Sequence, residues 1–222
     1  MIHDNAAIDV ALFLAVLIPS VIFHEVAHGW VAERFGDPTA RSAGRITLNP
    51  VPHIDPVGSV LLPVLLALAG SNVFGWAKPV PVNARFFRRP TEHMAIVALA
   101  GPGSNLLLAA AIGLLGPFTD TAQAGVLWSS GLGVGITTTG LWGRVLFGGL
   151  LVNVALSIFN LLPIPPLDGS RLIPLVLSER GRIAFAKVGQ YGFLVLFVLL
   201  FVFEGSLDFL GNAIGWLMRV LV

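Results

Sequence analysis

The chain has 222 residues, of which 55% are hydrophobic and only 11% charged, with a mean hydropathy of +0.86. A soluble domain carries about a quarter of its residues as Asp, Glu, Lys and Arg, so this sparse charge excludes an ordinary water-soluble enzyme and fits a chain that crosses a membrane several times. The net charge of +1, with no basic stripe interleaved with aromatics, points to no nucleic acid partner, and the lack of cysteine leaves only His, Asp and Glu as metal ligands.

Residues 1–9 hold Asp4 and Asp9 but no Lys or Arg, so they lack the basic start of a secretory signal. The apolar run 8–30, which contains Pro19, His24, Glu25 and His28, reads as a retained membrane helix kinked at the proline. A polar stretch, 32–56, carries Arg34, Arg41 and Arg45. Residues 57–70 are apolar but short, and 71–90 hold Lys78, Arg85, Arg88 and Arg89. Within that stretch the prolines of 76–82 predict extended or hairpin backbone rather than helix.

Residues 95–118 form the next span and include Gly101, Pro102, Ser104 and Asn105. A Gly/Thr/Ser-rich connection, 119–140, leads to a span over 141–162 that Pro163, Pro165 and Pro166 break sharply. Arg180, Arg182 and Lys187 precede an apolar run, 188–203, and 207–222 reads as a poor span or an interfacial helix. The expectation is an all-α polytopic membrane protein of about five to six membrane segments. It is expected to form one integral membrane domain over 1–222, with its core at 8–175 and C-terminal membrane segments at 186–222.

Cytoplasmic loops carry an excess of Lys and Arg, which places 34–45, 78–89 and 180–187 on the cytoplasmic side of the cell membrane. The first two flank 57–70, which is therefore expected to be re-entrant or a hairpin that dips in from that side.

His24-Glu25-Val26-Ala27-His28 reads H-E-x-x-H. On a helix, residues four apart share a face, so both imidazoles reach one ion while the carboxylate lies beside it. Two neutral nitrogens hold a metal and Glu25 takes a proton from water, which is the division of labour that zinc hydrolysis uses. The alternative is a pair of satisfied core histidines beside a buried glutamate. Buried ionisable groups are costly in a membrane helix and usually functional, which weighs against it.

A catalytic zinc needs a third protein ligand and an open position. The other acids fall at segment ends or in polar loops, which leaves Asp55 and Asp168. Asp168 follows the three prolines, whose irregular backbone is tolerated at membrane depth only against protein or a cavity. If Arg34 marks the cytoplasmic surface, His28 lies about 9 Å and His24 about 15 Å inside it, and the span 141–162 delivers Asp168 toward the same side.

His24-Glu25-x-x-His28, Gly101-Pro102-x-x-Asn105 and Asn160-x-x-Pro163-x-Pro165-x-x-Asp168-Gly169, in that order, resemble the site-2 protease family. The resemblance covers roughly the first 175 residues. It implies one catalytic Zn2+ held by His24, His28 and Asp168, with Glu25 as general base and Asn160 supporting the oxyanion or the substrate backbone. It also implies substrates that are transmembrane helical proteins, cleaved within the lipid bilayer. Asn49-Pro50-Val51-Pro52-His53-Ile54-Asp55-Pro56-x-Gly58 resembles a compact prokaryotic subgroup, with no room in this chain for a PDZ or sensor domain.

His53 and Asp55 are candidates for an auxiliary metal or substrate contact, against an ordinary role in setting turns. Asn105 and Ser104 either touch substrate or the metal's surroundings or serve helix packing, and Asn153 is similar. Residues 76–82 could pair with an extended substrate by strand addition. Three rivals remain. A membrane-anchored zincin of another kind would use a downstream Glu as third ligand, and none follows in an apolar context. A zinc transporter would repeat polar residues along several spans, and a catalytically dead scaffold would not need every catalytic residue type that is present here.

Overall fold

Leu, Ala, Val and Ile dominate the first apolar run, and in a bilayer each backbone N–H and C=O must be bonded within the segment, so the run folds as helix. In this computed structural model the described residues are 6–61, 65, 77–115, 126–129, 133–136, 141–201 and 208–221. Helix α1 (Ala6–Arg34) runs through Pro19 rather than ending there. It stops at Gly36, whose φ of +98° is a left-handed conformation that glycine adopts without strain. Gly36 N–H and Asp37 N–H turn back onto the carbonyls of Glu33 and Ala32, which satisfies groups the helix end would leave bare.

The single turn α2 (Thr39–Ser42) follows. Fully buried Asp37 accepts from Thr39 N–H at 2.9 Å and from Asn83 N–H at 2.6 Å, tying the loop after α1 to the stretch before the next long helix. Asp55 accepts from Val57 N–H and Gly58 N–H and opens a π-helical turn, Pro56–Leu61. Of residues 62–70 only Leu65 is described, so the expected re-entrant path of 57–70 lies mostly outside the described residues. Residues 77–83 form neither helix nor strand, with Asn83 alone given an extended conformation, and residue 76 is outside the described set.

Helix α3 (Pro90–Leu115) starts on a proline, whose missing N–H is one that a helix start would not use. Within the 119–140 connection, strands β1 (Val126–Ser129) and β2 (Gly133–Ile136) pair antiparallel with Val126 opposite Ile136. Apart from these two four-residue strands the described residues are helical or irregular, in keeping with the all-α expectation. Helix α4 (Leu141–Asn160) ends before the prolines, and a 3-10 stretch, Asp168–Leu175, packs against α3. Helices α5 (Glu179–Gly189), α6 (Gly192–Phe201) and α7 (Asp208–Leu221) complete the chain.

Helices α1, α3 and α4 pack on one another, and α7 covers α4 through Ile214 and Met218, which bury against Phe147, Leu151 and Val154. Three helices among the described residues are long and apolar enough to cross a membrane: Ala11–Arg34, Pro90–Leu114 and Leu141–Asn160. Counting the pair α5 and α6, bent by 61°, as one broken span makes four, fewer than the five to six expected. Most of 57–70 lies outside the described residues, and α7 reaches only about 21 Å against a hydrocarbon core of about 30 Å.

Candidate metal centre

His24 and His28 lie one turn apart on the buried face of α1, 6% and 8% exposed. Their Nε2 atoms are 3.0 Å apart. Asp168 arrives from the opposite side, and its Oδ2 stands 3.1 Å from His24 Nε2 and 3.2 Å from His28 Nε2. The local sequence explains its approach. The prolines end α4, Leu167 is extended, and the chain doubles back so tightly that a β-carbon at Gly169 would overlap the Leu161 carbonyl. Gly101 is as constrained on the facing side, where α3 presses against both imidazoles.

Each imidazole is oriented from behind. His28 Nδ1–H donates to the Val97 carbonyl at 2.7 Å, and His24 Nδ1–H donates to Asn105 Oδ1 at 2.6 Å. With the ring protons placed there, both Nε2 atoms turn lone pairs inward. Asp168 Oδ2 is buried and accepts no hydrogen bond. Three potential ligand atoms thus converge, within 4.8 Å of one another. A cation is what such a cluster accepts, and two imidazoles with one carboxylate suit zinc with a position left for water or substrate.

Glu25 is half-buried beside this cluster in sequence, and its Oε2 accepts the Val80 N–H at 2.7 Å. Val80 belongs to the irregular stretch 77–83, which buried Arg45 secures. Its guanidinium donates to the carbonyls of Pro52 at 2.5 Å, Pro79 at 3.2 Å and Lys78. As a sequence feature Arg45 reads only as a cytoplasmic loop charge, because nothing local shows that a folded loop will bury it.

Of the remaining candidates, Asn105 touches the cluster directly through His24. Asn160 closes α4 and its Nδ2 donates to Leu156 O at 3.0 Å; no hydrogen bond links it to the His24–His28–Asp168 cluster among the described residues. His53 is buried in its own loop, with Nε2 at 3.0 Å from the Thr47 carbonyl and its own carbonyl accepting from Lys78 N–H. Asn105, fully buried between α1, α3 and α4, contacts His24 and Asn153. Ser20, which the motifs do not single out, also joins this group. Its signal in the sequence is a hydroxyl one helical turn before His24.

The model of peptidase family M50 matches residues 12–203. YwhC of Bacillus subtilis (strain 168), provisionally named a zinc metalloprotease, is 40% identical over 186 residues, covering 82% of this chain and 77% of YwhC. Rip2 of Mycolicibacterium smegmatis, named in the same way, is 37% identical over 191 residues, 85% of this chain and 66% of Rip2. Rip3 of Mycobacterium tuberculosis, again so named, is 29% identical over 189 residues, and the chain spans 37% of its length. No solved structure matches the chain significantly. On the extent of the family match and of its likeness to YwhC, the chain belongs to peptidase family M50, the site-2 protease family, and is a metalloprotease.

Proposed function

We propose that the protein is a zinc-dependent intramembrane endopeptidase of the cell membrane that cuts transmembrane segments of other proteins, with His24, His28 and Asp168 holding one zinc ion. The observation that carries this reading is the convergence of two imidazole Nε2 atoms and one carboxylate oxygen, all within 3.2 Å of a partner, at the junction of apolar helices. Zinc bound there supplies Lewis-acid polarisation of a peptide carbonyl and acidifies water. Glu25 takes the proton from the attacking water and returns it to the departing nitrogen, while the Val80 N–H holds its Oε2 in place. Asn160 offers its remaining amide hydrogen to the developing oxyanion.

A substrate helix must unwind before its bond can be cut, because its carbonyls are already bonded within the helix. An apolar groove of about 510 Å3 supports delivery from the lipid side. It is lined by Ala27, Trp30, Val31, Ala100, Gly103 and Leu107, and Ala27 and Ala100 directly precede His28 and Gly101. Small side chains there let a substrate helix approach closely. The basic loops at 34–45 and 78–89 orient the site toward the cytoplasm.

Zinc per chain, measured on detergent-purified wild type and Asp168→Ala, tests the ligand set. One zinc in the wild type and little in the variant is expected. Full zinc in the variant removes Asp168 from the set, and a zinc-loaded wild type that leaves every membrane-spanning test peptide intact sinks the proteolytic reading.

A further inference from the structure

Behind His24 lies a chain of polar side chains that crosses all three packed helices, at a depth where each such group is costly unless fully bonded. Ser20 on α1 donates its only hydroxyl proton to the Val16 carbonyl at 2.8 Å. Its oxygen can therefore only accept, and it accepts from Asn153 Nδ2 of α4 at 2.9 Å. The second Nδ2 proton of Asn153 goes to the Gly149 carbonyl at 2.8 Å. Asn153 Oδ1 then faces Asn105 on α3 and accepts from its Nδ2 at 2.8 Å. Asn105 Nδ2 gives its other proton to the Ser20 carbonyl at 3.1 Å, which leaves Oδ1 to accept from His24 Nδ1.

The chain has one direction. Its fixed points are the carbonyls of Val16, Gly149 and Ser20, which accept and never donate. Turning either amide over would set oxygen against oxygen and leave buried N–H groups unbonded, at a cost of about 1–3 kcal/mol for each orphaned group. The order of donors therefore ends in a defined state of the last ring, with its proton on Nδ1 and its Nε2 lone pair toward Asp168.

We propose that Ser20 and Asn153 are positioning residues that act through Asn105 to fix the tautomer and ring orientation of His24 for zinc. The proposal rests on the zinc reading given above, yet it concerns residues that touch neither metal nor substrate. Asn105 is the direct partner, and losing such a partner costs roughly 10- to 100-fold in metal affinity. The effect should fade along the chain. Asn105→Leu is expected in that range, Asn153→Leu nearer tenfold and Ser20→Ala less still.

The test uses full-length protein in detergent micelles. The zinc dissociation constant is read by competition with a chelator of known affinity, and the ring nitrogens of His24 are read by NMR in the metal-free protein. Wild type should show the proton on Nδ1, and Asn153→Leu a mixture of tautomers with weaker zinc binding. If Asn153→Leu does not fold, Ser20→Ala removes a single hydroxyl and should show the same two changes in smaller measure. Lower thermal stability with unchanged zinc affinity and an unchanged ring spectrum overturns the proposal, because it is the signature of a merely structural network. Should the wild type bind no zinc, the functional reading fails, while a wild-type His24 with its proton on Nε2 overturns this inference independently.

Discussion

A β-carbon on Gly101 would overlap Nε2 of His28 and stand 2.6 Å from Nε2 of His24, so α3 presses its bare backbone against the two atoms that face the metal position. Real Cβ contacts essentially never fall below 3.0 Å. Gly101→Ala must therefore displace the imidazoles or push α3 away. Loss of at least tenfold in zinc affinity is expected, measured by chelator competition, with the helical circular dichroism retained. A displacement near 1 Å at such a site also costs about 100-fold in rate. Wild-type zinc affinity in Gly101→Ala would show that the helix gives way without cost.

Glu25→Gln separates binding from chemistry. The amide oxygen still accepts the Val80 N–H, but the side chain can no longer take a proton. Zinc content should stay at the wild-type level while turnover falls by about 100- to 10,000-fold. Equal loss of zinc would move Glu25 from the proton-transfer role to a structural one.

Arg45 donates to three carbonyls, those of Pro52, Lys78 and Pro79. Arg45→Met removes all three bonds from a charged donor, and a stability loss of about 1–3 kcal/mol is expected from thermal or denaturant unfolding. Because the Lys78–Pro79 stretch delivers the Val80 N–H to Glu25, activity should fall more than zinc content. Zinc loss equal to the activity loss would contradict that order.

Removing zinc should destabilise the folded protein, since the cluster then keeps three lone-pair atoms in contact. Added zinc is expected to raise the melting temperature with its concentration, by an amount equivalent to about 2.7 kcal/mol at 100 times the dissociation constant. The effect should vanish in Asp168→Ala. Lower pH should weaken binding, because protons and metal compete for the same Nε2 atoms. A melting temperature indifferent to zinc would place the ion elsewhere.

Asn160→Ala is expected to lower turnover by about 100-fold with zinc content intact, as removal of an oxyanion donor does in other hydrolases. Its Nδ2 bond to Leu156 O is helix-internal, so the substitution leaves no buried partner from another element. Unchanged turnover would confine Asn160 to capping α4.

Much of this protein was legible in the sequence because it depends on local spacing. His24 and His28 share a face because a helix repeats every 3.6 residues, and a long apolar run in a bilayer has little choice but helix. The prolines after residue 162 announce that α4 stops and irregular backbone begins. Family membership likewise rests on motif order, which survives without coordinates. What the sequence could not carry was contact between distant segments. The meeting of Asp168 with both imidazoles follows from the motif resemblance, but that Asn153 and Ser20 join behind Asn105, and that Arg45 is buried rather than solvated, are facts of packing across more than 30 residues of chain. Side-chain proton direction, the property that makes the cluster a cation site, exists only once those partners are in place, because a lone histidine or asparagine has no preferred donor until a neighbour supplies the acceptor.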